Sequence, residues 1–70
     1  MNMHIEFGRM PVSLINGVFA IYVVRGDSII ASRTGIATAE RCAELAQQYA
    51  DNYGAPIAAV PRFLCPLDEV

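Results

Sequence analysis

Residues 38–56 constrain the fold most, because their polar and apolar side chains separate onto two faces of one helix. Thr38 is a suitable N-cap, Gly54 fits the left-handed position after a last turn, and Pro56 cannot continue a helix. We therefore predict a helix over residues 38–53. Its apolar arc comprises Ala39, Cys42, Ala43, Leu45, Ala46, Tyr49, Ala50 and Tyr53. Its polar arc comprises Glu40, Arg41, Glu44, Gln47, Gln48, Asp51 and Asn52.

The segments around this helix have the patterns of strands. Residues 3–7 alternate apolar and polar side chains, and residues 12–15 form a short second candidate that Asn16-Gly17 would join to the next strand in a tight turn. Residues 18–24 are apolar on both faces, which predicts a central strand. A polar turn at residues 25–28 leads to another strand over residues 28–33, and residues 57–60 form a short return strand.

These elements predict one small α+β domain over residues 1–70. Its sheet is an antiparallel meander of three to five strands, and the helix packs across one face through the alanines at the centre of its apolar arc. Residues 61–70 keep several large apolar side chains, so we expect them to pack as an apolar C-terminal tail.

The apolar fraction of the chain is high for its size. Hydrophobic residues make up 54% of only 70 residues, and a domain this small buries only about 60% of its unfolded surface. Some apolar surface should therefore face a partner, and a homodimer is the commonest solution. One helix can cover only one sheet face, so self-association is expected through the other face or through the tail. The residues expected to mediate it are Phe19, Ile21 and Val23, or their neighbours on the other face, or Phe63, Leu64 and Leu67 in the tail.

The residue types and their spacing argue against a catalytic, metal or cofactor site. His4 is the only histidine, neither cysteine lies close to it in sequence, and it is expected on a strand surface. No serine has an evident base. Cys42 and Cys65 are interpreted as reduced, small hydrophobic residues. We therefore predict no catalytic residues, no metal and no cofactor. The five arginines are scattered in a chain of net charge −2, which disfavours direct nucleic-acid binding.

The sequence carries no pattern of membrane insertion or secretion. The sequence has no apolar run long enough to span a membrane and no signal-peptide pattern, so we predict a cytoplasmic protein. Arg25-Gly26-Asp27 matches the tripeptide that integrins recognise, but ordinary turn chemistry explains it better in a chain without a secretion signal.

Surface recognition is the remaining function class. The polar helix face forms a mildly acidic stripe that could engage a basic protein surface, or could simply be solvated. The predicted partner-binding residues are Glu40, Glu44, Gln47 and Asp51 on the helix, with Asp68 and Glu69 at the acidic end of the tail.

Residues 17–60 also resemble a known class of protein. The strand at residues 18–24, the Gly26-Asp27 turn, Thr38-Ala39-Glu40, the alanine-rich helix and Gly54-Ala55-Pro56 follow one another as in small phage- or mobile-element-encoded proteins, anti-CRISPR proteins among them. The resemblance implies an inhibitor that covers a surface of a bacterial defence complex without turnover. It is one of layout and assigns no residue a role.

Three functions stay open from the sequence. The first is a stoichiometric protein-binding inhibitor, favoured by the small size and the acidic stripe. The second is a homo-oligomeric structural or adaptor module, favoured by the apolar excess. The third is a small accessory domain for a ligand or a nucleic acid, which lacks support from any glycine-rich phosphate loop or basic stripe.

Overall fold

Three antiparallel strands and one helix make up the described chain. The computed structural model describes residues 2–10 and 19–65. The elements are β1 (Met3–Arg9), β2 (Phe19–Arg25), β3 (Ser28–Ile36) and α1 (Ala39–Tyr53). The sheet order is β1-β2-β3, with both pairs antiparallel, so β2 is the central strand. The predicted α+β fold is confirmed, as is the central position of β2. The predicted strand at residues 12–15 and its Asn16-Gly17 turn lie outside the described residues.

The β2–β3 hairpin has a two-residue turn. Arg25 is opposite Ser28, and Gly26 between them has φ of 62°. A positive φ at the first central position alone is the pattern of a type II′ turn, whose twist suits adjacent antiparallel strands. The prediction that residues 25–28 form a turn is therefore confirmed.

β3 continues beyond the predicted residue 33 because it contains two bulges. The first leaves Ile30 as an extra residue between the pairs Val24–Ile29 and Val23–Ala31. The second places Thr34 and Gly35 where β2 has one residue, and Gly35 has φ of 75°. The left-handed backbone at Gly35 lets the strand absorb these residues and continue to Ile36.

Capping side chains and a left-handed glycine fix the helix bounds. The backbone N–H of Arg41 donates to the Thr38 hydroxyl oxygen at 3.1 Å. At the other end, Gly54 has φ of 64° and its N–H donates to the carbonyl of Ala50. Both predicted helix ends are confirmed.

One face of α1 packs on β1 and β2 to form the core. The buried cluster contains Ile5, Ile21, Val23, Ile36, Cys42, Leu45, Ala46, Ala50 and Ala55. Ala43 is exposed, so the prediction that the contact is centred on an alanine stripe is wrong. The buried arc is instead centred between Cys42 and Ala46, the two fully buried residues of the helix, and Ala43 lies at its rim.

The sheet face under α1 holds three residues that were predicted to mediate self-association. Ile21 and Val23 are fully buried, and Phe19 is half-buried against the same cluster. The helix covers this face, so the prediction that these residues form a dimer surface is wrong and they belong to the core.

The post-helix segment, residues 55–65, covers the outer edge of β1. The N–H of Ile5 donates to the carbonyl oxygen of Pro56 at 2.8 Å, and the carbonyl oxygen of Ile5 accepts from the N–H of Ala58 at 2.8 Å. The chain then bends, and Cys65 exchanges two backbone hydrogen bonds with Arg9, each at 2.9 Å.

The predicted return strand over residues 57–60 is therefore wrong. Ile57 forms a single parallel bridge with Ile5, and the chain then leaves the edge of β1. Leu64 is buried and Phe63 is half-buried, whereas Arg62 is exposed, and packing of the whole tail over residues 61–70 stays a prediction. Leu67, Asp68 and Glu69 lie outside the described residues.

Substitutions at two alanines of α1 test which side of the helix packs on the sheet. Ala46→Glu should lower the free energy of unfolding by about 2 kcal/mol or more, because it places a larger, charged side chain in a fully buried site. Ala43→Glu, the matched control, should be nearly neutral, as should a substitution at exposed Gln48. Urea denaturation measures all three variants, and equal losses at positions 43 and 46 would contradict this helix orientation.

Candidate functional site

His4 and Glu6 form a pair on the sheet face opposite α1. Residues two apart in a strand point to the same face, and here His4 Nε2 lies 2.8 Å from Glu6 Oε2. The Glu6 side chain is fully buried, whereas that of His4 is 22% exposed. His4 therefore lies on a strand, as predicted, and is paired there with a carboxylate. The His-x-Glu spacing within a predicted strand was the one sequence pattern that pointed to this pair.

Glu6 also binds the post-helix segment. The N–H of Phe63 donates to Glu6 Oε1 at 3.0 Å, so both carboxylate oxygens have a partner. Burial acts to raise the pKa of the Glu6 carboxyl. Hydrogen bonds from His4 and from the backbone N–H groups of Phe63 and Arg62 outweigh burial and hold this pKa below its ordinary value. Glu6 is thus a charged, buried acceptor that joins β1 to residues 62 and 63.

Close backbone packing extends this contact along β1. A Cβ atom at Gly8 would overlap the carbonyl oxygen of Cys65 and crowd Leu64, so only glycine permits this approach. Together with the Arg9–Cys65 bridge, this contact places residues 64 and 65 tightly against the end of β1.

Arg62 connects the same segment to the β2–β3 turn. Its guanidinium lies 3.3 Å from the Asp27 carboxylate and 3.5 Å from the carbonyl oxygen of Gly26, and it stacks 5.3 Å from the Phe63 ring centre. Because the Asp27 side chain is 93% exposed, this ion pair stabilises the fold little. The Arg25-Gly26-Asp27 tripeptide therefore forms a hairpin turn with a weakly held carboxylate.

The arrangement around His4 favours a structural role. A carboxylate-bound imidazole resembles part of a catalytic triad, but catalysis also needs a nucleophile in reach of the ring. Among the described residues, His4 hydrogen-bonds to Glu6 and to no hydroxyl or thiol. Nor do residues 2–10 and 19–65 contain a group of three His, Cys, Asp or Glu side chains able to hold a metal. Because Glu6 also accepts from the Phe63 N–H, we interpret the His4–Glu6 pair as an attachment point for the post-helix segment.

The cysteines are both free. Cys42 is fully buried, and its thiol lies 3.5 Å from the carbonyl oxygen of Ala20, to which it donates. Burial raises the pKa of the Cys42 thiol, which keeps it protonated and unreactive at neutral pH. Cys65 is half-buried. The interpretation of Cys42 as a small core residue is confirmed.

The predicted acidic stripe lies on the outer face of α1. Glu40, Glu44, Gln47 and Asp51 are all exposed. Arg41 approaches Glu44 at 3.4 Å, and the Gln47 side-chain amide donates to Asp51 at 3.1 Å. These solvent-exposed contacts are weak and leave the carboxylates accessible. Their role in binding a partner stays a prediction.

Comparisons with known proteins give no assignment: no family model, curated protein or solved structure matches the chain. Within the part that the structure describes, the single helix of residues 39–53 is too short and too polar to cross a bilayer.

The Glu6 contacts give stability a defined pH dependence. Because the pKa of Glu6 is lowered by folding, its stabilising contribution is present above the ordinary carboxyl pKa and is lost as the pH falls through the folded value. Glu6→Ala should lower the free energy of unfolding at pH 7 by about 2–4 kcal/mol, since the Phe63 N–H and His4 lose their partner. Glu6→Gln should cost less at pH 7.

Urea denaturation between pH 2 and pH 7 measures this dependence. Both Glu6 variants should show a flatter acid limb than the parent, and Glu44→Gln, an exposed control, should keep the parent's slope. An unchanged acid limb in the Glu6 variants would contradict the assigned charge state of Glu6.

Proposed function

We propose that this protein is a non-catalytic module that binds a partner protein through the outer face of α1. The observation that carries the proposal is the exposure of Glu40, Glu44, Gln47 and Asp51 together on one side of a helix whose other side is buried in the core. A surface of this kind binds by contact and needs no reacting group.

The charge of this face indicates the chemistry of the partner. Three carboxylates and one cation, Arg41, give it a net negative charge. Opposite charge on a partner accelerates encounter and disfavours wrong partners. The partner should therefore present a basic surface. Asp68 and Glu69, which lie outside the described residues, are also predicted to contact the partner.

The helix that carries these side chains is rigidly placed. Thr38 and Gly54 cap its ends, and Cys42, Leu45, Ala46 and Ala50 are buried beneath it. A preorganised face loses little backbone entropy on binding, which favours affinity from a small contact area. This rigidity supports α1 over the exposed loops as the binding element.

The layout resemblance supports a narrower form of the proposal. As in anti-CRISPR proteins, the chain would act in the cytoplasm of a bacterial host and inhibit a defence complex by covering part of its surface. Phage or mobile-element origin belongs to this narrower form, and the basic channels with which such complexes hold nucleic acid provide the expected partner charge.

A charge-matched pair of variants tests the binding face. In Glu40→Gln/Glu44→Gln, association with a partner captured from bacterial lysate should slow, and its rate should depend less on salt. Ala59→Lys/Val60→Lys changes net charge equally at exposed sites outside α1, and should associate at close to the parent's rate. Surface plasmon resonance at two salt concentrations measures both. A slower rate for the lysine variant alone would place the binding surface elsewhere.

A titration tests the narrower form. Purified effector complexes of the major defence types are mixed with increasing amounts of the protein, and binding or cleavage of target DNA is measured. We expect inhibition to be complete at about one protein per binding site, as for a tight non-catalytic inhibitor. Complete inhibition at far lower ratios would indicate turnover, and no inhibition of any effector would leave only the general protein-binding module.

A further inference from the structure

The post-helix segment has two parts that contact the domain differently. In its first part, Ala55 belongs to the buried core cluster and Ile57 packs against that cluster. Backbone hydrogen bonds from Pro56 and Ala58 to Ile5 continue this contact at the edge of β1. Removing the first part from the domain would therefore open the core itself.

The second part, residues 61–65, lies on the sheet face opposite α1. Leu64 is buried, but it does not belong to the core cluster beneath the helix. The N–H of Phe63 donates to the side chain of Glu6, which points to this opposite face. Residues 61–65 can therefore separate from the sheet while the core beneath α1 stays packed.

An exposed stretch connects the two parts. Ala59 and Val60 are both exposed, and Val60 is the most exposed of the large hydrophobic residues in the described chain, at 69%. Within residues 2–10 and 19–65, residues 59–62 make no backbone–backbone hydrogen bond to the rest of the domain. A stretch with few buried contacts and a solvent-exposed backbone is where local opening costs least.

Few contacts hold residues 61–65 on the sheet. Cys65 exchanges two backbone hydrogen bonds with Arg9, and Glu6 accepts from Phe63 at 3.0 Å. The ion pair of Arg62 is solvent-exposed and adds little. Glu6 is the buried charged group in this set, and hydrogen bonds to a charged group are stronger than those between neutral groups.

We propose that residues 61–65 open and close as a unit, separately from the core, and that the buried carboxylate of Glu6 keeps this unit closed. The chain bends at Ala59 and Val60 when the unit opens. Phe63 and Leu64 then leave the sheet, and Glu6 faces water. The proposal does not rest on the partner-binding role of α1, because the helix lies on the other face of the sheet.

Amide hydrogen exchange, followed by NMR in increasing urea, tests whether the opening is local. The N–H groups of Arg9 and Cys65 report on residues 61–65, and those of Ala46 and Ala50 within α1 report on the core. We expect the first two to share one protection factor, at least about tenfold below that of the helix amides. Their exchange should also depend less on urea, because a local opening exposes less surface than unfolding.

Two further amides locate the bend. The N–H of Ile5 donates to Pro56 and that of Ala58 donates to Ile5, so both lie at the edge of β1 but before the exposed stretch. We expect both to be protected more strongly than Arg9 at the same edge. Equal protection at all three positions would show that the whole post-helix segment opens together, and would contradict the bend.

A pair of variants tests the role of Glu6. Glu6→Gln should lower the protection of Arg9 and Cys65 by about tenfold, because a neutral acceptor replaces a charged one. Ile21→Val, which removes a methyl group from the core beneath α1, should show the opposite pattern. It should lower the protection of Ala46 and leave Arg9 and Cys65 at the parent's values.

Gly8→Ala opens the same unit without changing charge. A Cβ atom at this position would overlap the carbonyl oxygen of Cys65, so the variant should also lower the protection of Arg9 and Cys65. Circular dichroism verifies that each variant is folded. Gly8→Ala and the urea dependence of the parent decide the test if Glu6→Gln does not fold.

Three results would overturn the proposal. In the first, Arg9 and Cys65 match the helix amides in protection and in urea dependence. In the second, a folded Glu6→Gln variant keeps the parent's protection at both positions. In the third, Ile21→Val lowers their protection as much as that of Ala46. All of these measurements are made without a partner, so they are independent of whether α1 binds one.

Discussion

The Glu6 carboxylate joins the first strand of the sheet to the last part of the chain that the structure describes. It is fully buried, lies 2.8 Å from His4 and accepts a hydrogen bond from Phe63, 57 residues further along. A buried carboxylate is tolerated only where such bonds replace its hydration. The position of Phe63 therefore depends on a polar contact, beside the two backbone bonds that hold Cys65 to Arg9.

The two faces of the sheet are consequently covered through different kinds of interaction. Apolar packing covers the face beneath α1, where Ile21, Val23 and Ala46 exclude water completely. On the opposite face, directional bonds to Glu6 and the absence of a side chain at Gly8 position the covering segment. Apolar packing tolerates modest changes of shape, whereas a buried charge requires particular partners at particular distances.

Local signals made the helix and the central strand predictable. Thr38 and Gly54 specify the ends of α1 through caps that involve residues at most four positions away, and two apolar faces identify β2. The periodicity of the helix could not show where the sheet would lie across the apolar arc, so the prediction for Ala43 was wrong. The strand pattern could not show the bulge at Gly35, because a glycine after a polar strand residue also suits a strand end.

The site itself was the least predictable part of the molecule. His4 and Glu6 are two residues apart, but the burial that makes their contact significant comes from Phe63. Sequence patterns carry no information on contacts over such separations. The exposure of the polar residues of α1 follows from local periodicity and was predicted correctly. Their use by a partner depends on another molecule and has to be measured.

The covering of β1 by its own chain has a consequence for dilution. Residues 56–65 are tethered to the strand that they cover, so their concentration at that edge is fixed by chain length and corresponds to roughly millimolar free ligand. Diluting the protein cannot uncover β1. Among residues 2–10 and 19–65 no strand covers the outer edge of β3, so a strand supplied there by another molecule would bind in proportion to the concentration of that molecule.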